Sequence, residues 1–315
     1  MLKIAIECSY TDKFNSKDLY WTRYIMQEMF KKNNIELVRV SINKYEKKYF
    51  KEYNIYKSNW EVKTIKKPYK PDIIRNRKST ATTYKYELLK KHTIIPSQHI
   101  STISNDKYET YMFLKKYQPK TFLLSSILKN KQIQKNYNWT MILKPLRANW
   151  GRWIILINIE KLLKKEKNYK WLEELYIVQE FKDFSKWYPW IVSWNHDIRI
   201  MFAGKNIIET TLRIPKKWWF KSNIWSWGSQ IDIPTKKMPP EVIKLAKKIY
   251  KEISREQNEI ISIDFAYCKE EKKRYMLEIN ASPGTRYYQT DRKKLEKICK
   301  WLIIFFKKCL IKWCH

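Results

Sequence analysis

Residues 261–284 read ISIDFAYCKEEKKRYMLEINASPG, two apolar, strand-like runs joined by a charged turn. Side chains alternate between the two faces of a strand, so Glu278 and Asn280 point to the same face. Asp264 joins them on that face if the two strands pair in a suitable register. Two carboxylates and an amide are hard oxygen ligands that suit Mg²⁺, and Mg²⁺ suits the phosphates of a bound nucleotide. The segment therefore predicts a metal site on a strand pair.

A surface strand pair with ordinary charges is the alternative to this metal site. The acidic residues are flanked by the apolar residues Ile263, Phe265, Leu277 and Ile279, and the whole chain has 31 acidic residues against 65 basic ones. Acidic side chains set between apolar ones in so basic a chain favour the metal site.

Strand-like and helix-like segments alternate along the rest of the chain, which predicts an α/β protein with α+β packing in its C-terminal parts. The runs LKIAIEC, IELVRVSI, PDIIRNR and HTIIPS predict an N-terminal βαβ-like domain that ends near residue 98. The basic, aromatic stretch at 44–70 predicts loop and short helix. PPEVIKLAKKIYKEIS, residues 239–254, is the clearest amphipathic helix.

The composition is that of a folded globular chain. Its 315 residues are 44% hydrophobic, which excludes a disordered or collagen-like protein. No apolar run approaches the ~20 residues that span a bilayer. The C-terminal run WLIIFFKKCLIKW is interrupted by Lys307 and Lys308, which favours a packed helix over a membrane-surface one.

The cellular setting is inferred from the N-terminus and the cysteines. MLKIAIECSY reads as a first strand and not as a signal peptide. The 5 cysteines include no C-x-x-C pair, so reduced thiols in a cytoplasmic protein are expected.

The formal net charge of +34 is spread along the chain, without zinc-finger spacing or a separate basic block. Such a charge attracts nucleic acid by non-specific electrostatics. The Lys, Ile, Asn and Tyr content indicates an AT-rich gene, which accounts for the lysines more simply. We therefore expect a solvated basic surface, with no dedicated nucleic-acid site and no membrane partner.

The glycine and tryptophan contents are abnormal. The chain has 4 Gly and 15 Trp, whereas an ordinary chain of this length has about 22 Gly. An AT-rich gene that reads UGA as glycine, translated here with UGA as tryptophan, would explain both counts. A protein that is truly rich in tryptophan is the alternative, and composition alone leaves the two open.

The order of the motifs along the chain resembles the ATP-grasp superfamily, in the branch of RimK-type glutamate ligases and glutathione synthetases. Any one motif is weak, but seven occur in the family's order over about residues 100–290. They are NDKYETYMFLKKY with PKT, MILKP, NWGRW, YIVQEF, HDIRIMF with LRIP, FKSNI, and IDF with LEINASPG.

The resemblance implies three parts: an N-terminal Rossmann-like pre-ATP-grasp domain at 1–98, a central ATP-grasp subdomain at 99–178 and a C-terminal one at 179–315. It also implies an ATP-dependent carboxylate–amine ligase that forms an acyl phosphate and releases ADP and phosphate. The metal would be Mg²⁺, with Mn²⁺ as a substitute. The partners would be a carboxylate substrate and an amine acceptor, which is an amino acid, a peptide or a protein tail.

The matched motifs also imply roles for single residues. Those matched to ATP-binding positions are Lys107, Lys144, Gly151, Gln179, Glu180 and Phe181. Those matched to metal ligands are Asp264, Glu278 and Asn280. Those matched to catalytic positions are Arg199, Arg213 and Asn223. Arg213 would hold the γ-phosphate or acyl phosphate with its planar fork, and Arg199 would bind a second anion such as the substrate carboxylate.

The same resemblance bears on the tryptophans. In this family the loop after the Lys-Pro strand needs glycine, because its backbone N–H groups approach phosphates closely. Here Trp residues stand in that loop and at other positions where the family has glycine or small residues. They are Trp150, Trp153, Trp190, Trp194, Trp218, Trp219, Trp225 and Trp227. The resemblance therefore favours recoding.

Two alternatives to a ligase stay open at this point. One is a non-catalytic, basic RNA- or ribosome-associated protein on an ATP-grasp scaffold, which would bind with a strong salt dependence and release no ADP. The other is a pseudoenzyme, if the tryptophans are genuine and their rings fill the phosphate loop.

Overall fold

The computed structural model describes residues 1–7, 17–76, 83–136, 140–147, 154–164, 175–185, 196–215, 229–255, 258–283 and 291–311. Within these residues the chain forms a 6-stranded, a 4-stranded, a 5-stranded and a 2-stranded sheet. The helices are α1 (Lys17–Lys31), α2 (Thr83–Leu89), α3 (Gln98–Asn105), α4 (Lys107–Leu114), α5 (Leu124–Lys129), α6 (Lys131–Asn136), α7 (Ile159–Lys164), α8 (Pro240–Ser254) and α9 (Arg292–Ile311). The expected α/β fold class is confirmed.

The N-terminal part carries the largest sheet. Its strands and those of a small hairpin are β1 (Leu2–Glu7), β2 (Ile35–Val40), β3 (Tyr45–Glu46), β4 (Tyr49–Phe50), β5 (Tyr53–Tyr56), β6 (Val62–Ile65), β7 (Ile73–Asn76) and β8 (Thr93–Ile95). The sheet has the order β6-β5-β2-β1-β7-β8, and β3 pairs with β4. The strands β2, β1, β7 and β8 are parallel, as the βαβ-like pattern predicts.

The prediction of loop and short helix over 44–70 is wrong for four segments of this stretch, which form the short strands β3 to β6. Tyr, Ile, Val and Thr recur in it, and such side chains favour strands. The connection between β5 and β6 places Trp60 at φ 66°, in the left-handed region that favours glycine. The Lys57 N–H donates to the Glu61 carbonyl across this connection, at 3.0 Å.

The C-terminal helix α9 packs on the N-terminal sheet, as expected. Leu302 and Phe306 are buried, and the Phe306 ring meets that of Phe30 in α1 at a centroid distance of 6.1 Å. Cys299 and Cys309 on the same helix are buried thiols. None of the helices in the described ranges has the length and apolar character that crossing a bilayer requires.

The middle sheet is antiparallel and has the order β11-β10-β12-β9. Its strands are β9 (Thr121–Leu123), β10 (Thr140–Pro145), β11 (Ile155–Asn158) and β12 (Tyr176–Glu180). Leu143 and Val178 pack against Leu124 and Ile127 of α5, so one face of this sheet is covered. Lys144 and Gln179, the next residues along β10 and β12, therefore point to the other face of the sheet, toward the rest of the molecule.

The third sheet, which is also antiparallel, presents one apolar and one polar face. Its strands are β13 (Asp197–Ala203), β14 (Asn206–Ile214), β15 (Ser229–Asp232), β16 (Ile260–Cys268) and β17 (Lys273–Asn280), in the order β15-β14-β13-β16-β17. The expected amphipathic helix α8 covers the apolar face with Val242, Ala246, Ile249 and Ile253, which recur at helical spacing. The division of the chain at residues 98 and 178 stays a prediction.

Candidate active site

The polar face of the third sheet collects charged side chains in one row. Arg199 of β13 lies opposite Asp264 of β16, and Asp264 lies opposite Glu278 of β17. Asp197 lies opposite Arg213 of β14, two positions along β13. Because side chains alternate along a strand, all five share the face that α8 leaves uncovered.

Asp264 is the hub of an ion-pair cluster on this face. Arg199 donates to both of its oxygens, from Nε at 2.8 Å and from Nη2 at 2.7 Å. Arg213 donates from Nη2 to Asp264 at 2.6 Å and from Nε to Asp197 at 2.5 Å. Asn280 Nδ2 lies 3.4 Å from Asp264 Oδ2. The metal and arginine positions predicted from separate motifs therefore meet at one carboxylate.

The electrostatics of this cluster are those of a buried, balanced group. Asp264 is 1% exposed. Burial alone would raise the pKa of Asp264, but Arg199 and Arg213 outweigh it and hold that pKa below its usual range. Burial likewise opposes the charge of Arg213, and Asp197 and Asp264 outweigh it and raise the pKa of its guanidinium.

The donor set around Asp264 fits a hard divalent cation. Asp264 and Glu278 supply carboxylate oxygens from directly opposite positions, and Asn280 adds an amide oxygen. No group of three or more His, Cys, Asp and Glu side chains that could hold a metal exists among the described residues. A metal here would therefore depend on the amide as its third protein ligand and would share Asp264 with the two arginines.

A small cleft lies beside this row, where α4, β10, β12 and β17 converge. Its walls include Lys107, Lys144, Gln179 and Glu278, which come from four separate predicted motifs. The Lys107 N–H donates to the Leu146 carbonyl at 3.1 Å, which ties the start of α4 to the end of β10. The structure thus brings both predicted lysines to one cleft, next to a predicted metal ligand.

Lys144 is held in the cleft by a chain of hydrogen bonds. Its Nζ donates to Gln179 Oε1 at 2.6 Å, and Gln179 Nε2 donates to Thr121 Oγ1 at 2.8 Å. Loss of hydration and the charge of Lys107 lower the pKa of Lys144 to about 8. An anion placed in the cleft would favour the charged form of Lys144.

The other predicted adenine residues lie directly after Gln179. The Glu180 N–H donates to the Lys120 carbonyl at 2.8 Å, and the Phe181 N–H donates to the Thr140 carbonyl at 3.2 Å. The Glu180 side chain accepts from Lys182 at 2.6 Å. The backbone here is fixed at the end of β12, an inner strand of the middle sheet, while the role of these residues toward adenine stays a prediction.

Several predicted residues lie outside the described part of the chain. Gly151 and Asn223 are among them. So are the tryptophans at the expected glycine positions: Trp150, Trp153, Trp190, Trp194, Trp218, Trp219, Trp225 and Trp227.

Sequence reasoning missed two features of the site. Asp197 lies in a matched motif, but only the register of β13 and β14 reveals it as the partner of Arg213. Gln118 lines the cleft, and its Oε1 is buried without a hydrogen-bond partner among the described residues. Gln118 is the residue between the two halves of the first motif, NDKYETYMFLKKY and PKT, and the motif assigns it no role.

Comparison with known proteins matches this geometry to one family. The model of the family described as RimK-like ATP-grasp domain matches residues 88–302. No curated protein sequence matches the chain. The match agrees with the resemblance found in the motifs.

Solved structures share the fold along nearly the whole chain. A D-alanyl-alanine synthetase A from Vibrio cholerae has a TM-score of 0.64 at 14% identity, covering 98% of each chain. The ATP-grasp ligase PsnB, complexed with minimal precursor, Mg and ADP, has a TM-score of 0.60 at 11% identity, covering 96% of this chain and 97% of PsnB. A RimK domain protein from Sphaerobacter thermophilus has a TM-score of 0.58 at 12% identity, covering 96% and 99%. At such identities the likeness shows the fold alone.

Proposed function

Because this chain belongs to the RimK-like ATP-grasp domain family, we propose that it is an ATP-dependent carboxylate–amine ligase. The observation that carries the proposal is the cleft at which Lys107, Lys144, Gln179 and Glu278 meet. Four motifs that lie far apart in sequence would have no reason to converge if each were an ordinary surface feature. Their convergence supports a site for the phosphates of ATP.

The lysines and the acidic row have complementary roles in this proposal. Lys107 and Lys144 neutralise phosphate oxygens. Burial and the charge of Lys107 lower the pKa of Lys144 more than Glu278, in the same cleft, raises it, so a bound anion would stabilise its charged form. Asp264, Glu278 and Asn280 hold Mg²⁺, or Mn²⁺ in its place. When bound, the metal supplies positive charge to the phosphate oxygens. Gln179, Glu180 and Phe181 face the adenine.

The reaction follows from this placement. A carboxylate oxygen of the substrate attacks the γ-phosphorus, the bond to the β-phosphate oxygen breaks, and ADP leaves with that electron pair. The amine then attacks the acyl phosphate, loses a proton and displaces phosphate. Arg213 uses Nε and Nη2 for Asp197 and Asp264, which leaves Nη1 for an oxygen of the transferred group. Arg199 and Asn223 complete the catalytic set.

The partners we propose are a carboxylate substrate and an amine acceptor in the cytoplasm. PsnB is complexed with a minimal precursor, so a peptide belongs among the acceptors to be tested, beside amino acids and protein tails. The N-terminal domain at 1–98 and the two subdomains at 99–178 and 179–315 would enclose these substrates.

The test of the ligase is ADP release from Mg·ATP in the presence of amino acids and peptides that carry carboxylates and amines. We expect at least one pair to stimulate release above the rate without substrate, with one phosphate formed for each ADP. If no pair stimulates release although Mg·ATP binds, the ligase assignment fails. Nucleic-acid binding that weakens steeply with salt, without ADP release, would instead support the RNA- or ribosome-associated alternative.

We further propose that the tryptophans at expected glycine positions are products of UGA read as tryptophan. Trp60 supports this, because a bulky residue at φ 66° in a hairpin connection occupies a conformation that glycine adopts freely. The phosphate loop around Gly151 would then carry glycine at 150 and 153, and close approach to phosphate would be possible.

Peptide mass spectrometry of the native protein tests the recoding. We expect glycine at 150, 153, 190, 194, 218, 219, 225 and 227, with UGA codons in the gene. UGG codons at most of these positions would refute the idea and favour a pseudoenzyme. All variants below are made in the full chain, with the residues that the native protein carries at its Trp positions.

A further inference from the structure

A second pair of buried arginines lies in the N-terminal sheet. Arg39 of β2 and Arg75 of β7 both lie beside Ile6 of β1, so the two side chains flank it on one face. Arg39 is 7% exposed and Arg75 is 3% exposed. Both stand one residue before the carboxyl end of their strand. We call Arg39 and Arg75 the N-terminal pair.

Among the described residues, no ion pair joins a carboxylate to Arg39 or Arg75, and the Cys299 thiol of α9 is within electrostatic range of Arg75. The Arg39 guanidinium lies 5.5 Å from the centroid of the Tyr56 ring, and Arg23 lies over the same ring at 6.0 Å. Arg75 Nη2 is buried without a hydrogen-bond partner among the described residues. Loss of hydration and the charge of Arg39 lower the pKa of Arg75 to about 10. Two like charges are therefore buried beside each other.

A buried guanidinium needs an anion. Taking one out of water is strongly unfavourable unless a carboxylate or phosphate compensates it, and an unpaired buried charge is worse than no charge. Two guanidiniums on one face, with Ile6 of β1 between their strands, offer several N–H donors that suit the oxygens of a carboxylate or phosphate group. The missing charge is thus that of an oxyanion.

The position of the pair is one at which α/β sheets bind ligands. Strands β2 and β7 lie on opposite sides of β1, so the strand order reverses there, and ligands bind outside the carboxyl ends at such a reversal. Asn76, the residue after Arg75, accepts a hydrogen bond from Ser282 Oγ at 3.1 Å. Ser282 follows Asn280 at the end of β17. The edge therefore adjoins the segment that carries the candidate metal ligands.

We propose that Arg39 and Arg75 bind an oxyanion on the ligase substrate, a carboxylate or phosphate group other than the carboxylate that is activated. This inference rests on the proposed function, because it assigns the substrate of the same site. It makes the substrate a molecule with at least two acidic groups. One group is bound at the N-terminal sheet while the other reaches the cleft.

Calorimetric titration tests the site with two probes, glutarate and inorganic phosphate, in saturating Mg·ADP to occupy the nucleotide cleft. We expect at least one probe to bind, and Arg39→Gln and Arg75→Gln each to weaken that binding tenfold or more. Arg292→Gln, an exposed arginine at the start of α9, is the matched control and should leave the affinity unchanged. Glutarate binding alone indicates a carboxylate on the substrate, and phosphate binding alone indicates a phosphorylated one.

Thermal unfolding is a second test, because the effect of Arg75→Gln on the unfolding temperature would be reversed if the protein itself supplied a counter-ion. In buffer free of oxyanions, Arg75→Gln should not lower the unfolding temperature, because it removes an uncompensated buried charge. The binding probe should raise the unfolding temperature of the parent chain but not that of the variant. A lower unfolding temperature for Arg75→Gln, or probe binding equal in all variants, overturns the proposal.

The same titrations separate this proposal from the proposed function. If Mg·ADP fails to bind while a probe still binds through Arg75, the ligase assignment loses its support and the oxyanion site stands. If Mg·ADP binds and no probe depends on Arg39 or Arg75, the oxyanion site is refuted and the nucleotide cleft stands.

Discussion

Two pairs of arginines on the described sheets differ in how their charges are balanced. Arg199 and Arg213 on the third sheet contact Asp264, and Arg213 also contacts Asp197. Arg39 and Arg75 on the N-terminal sheet have no carboxylate partner among the described residues. The first pair lies in the candidate active site, and we propose that the second pair binds another group of the same substrate.

The two sheets differ in what compensates the charges of their arginines. In the third sheet, neighbouring strands place carboxylates opposite arginines, so the cluster is neutralised within the protein and fixes the orientation of Asp264. In the N-terminal sheet, Ile6 and Tyr56 lie beside the arginines and bring no charge, and no ion pair joins a described carboxylate to Arg39 or Arg75. A balanced pair orients other groups, whereas an unbalanced pair is suited to bind a ligand.

The largest expected effect is that of removing the balancing charge on the third sheet. Asp264→Asn leaves Arg199 and Arg213 with a neutral neighbour, and breaking a buried pair in this way costs about 3–5 kcal/mol of unfolding free energy. Urea unfolding measures the loss. From the sequence alone, replacing Asp264 would remove a metal ligand and leave the fold intact, but its two arginine contacts change that expectation.

Asp232→Asn on the exposed edge strand β15 is the matched control, since Asp232 pairs with Lys294 near the surface. Exposed pairs contribute about 0–1 kcal/mol, so this variant should be nearly silent. Equal losses for Asp264→Asn and Asp232→Asn would show that the third-sheet cluster is not a buried, balanced unit.

The next effect is catalytic. Arg213→Lys keeps the charge but loses the planar fork that contacts Asp197 and Asp264 while facing the transferred group. We expect turnover to fall by about 10²-fold with ATP affinity changed by less than about threefold, as for a group that acts in the transition state. Steady-state ADP release and ATP titration measure the two quantities. Full retention of turnover would remove Arg213 from the catalytic set.

The smallest effect is a pH dependence. Lys144 has a pKa of about 8 in the free chain. Above this pH its amine loses a proton, and with it the positive charge that binds the ATP phosphates. Mg·ATP affinity should fall by up to about tenfold per pH unit above pH 8. Lys144→Arg stays charged and should show a flat profile. A parent profile as flat as that of Lys144→Arg contradicts the role of Lys144.

The lowered pKa of Lys144 also predicts how the unfolding free energy changes with pH. Between pH 8 and the ordinary lysine pKa of ~10.4, the unfolded chain binds more protons at Lys144 than the folded chain does. The contribution of Lys144 to the unfolding free energy therefore rises with pH in that window. In the absence of ATP, urea unfolding should show this rise in the parent chain and not in Lys144→Met.

Much of the third-sheet site could be predicted because strand alternation is visible in sequence. The alternation put Glu278 and Asn280 on one face, and the register confirms that Asp264 lies there as well. The sequence could not give that register, nor the irregularity between Asp264 and Phe265. It also could not reveal that Asp197 would meet Arg213, because the contact depends on how two strands pair.

The N-terminal pair shows what sequence reasoning lacks. Arg39 and Arg75 are two of 65 basic residues, and although each lies in an apolar, strand-like run, nothing in those runs shows that the two would share one face. Their environment follows only once β2, β1 and β7 are aligned in parallel. The prediction over 44–70 missed four strands for a related reason. The lysines of this stretch suggested a solvated loop, although its aromatic and β-branched residues favour strands.

The magnesium dependence of ATP binding, measured by calorimetry in the parent chain and three variants, tests the proposed nucleotide site most directly. We predict one site that needs Mg²⁺, with affinity lost at least tenfold in Lys144→Ala and in Glu278→Gln and unchanged in Arg292→Gln. These two residues come from different sheets and share only the cleft. ATP binding that is unchanged in both variants and is abolished by high salt would contradict this prediction, because the cleft would then not be the nucleotide site.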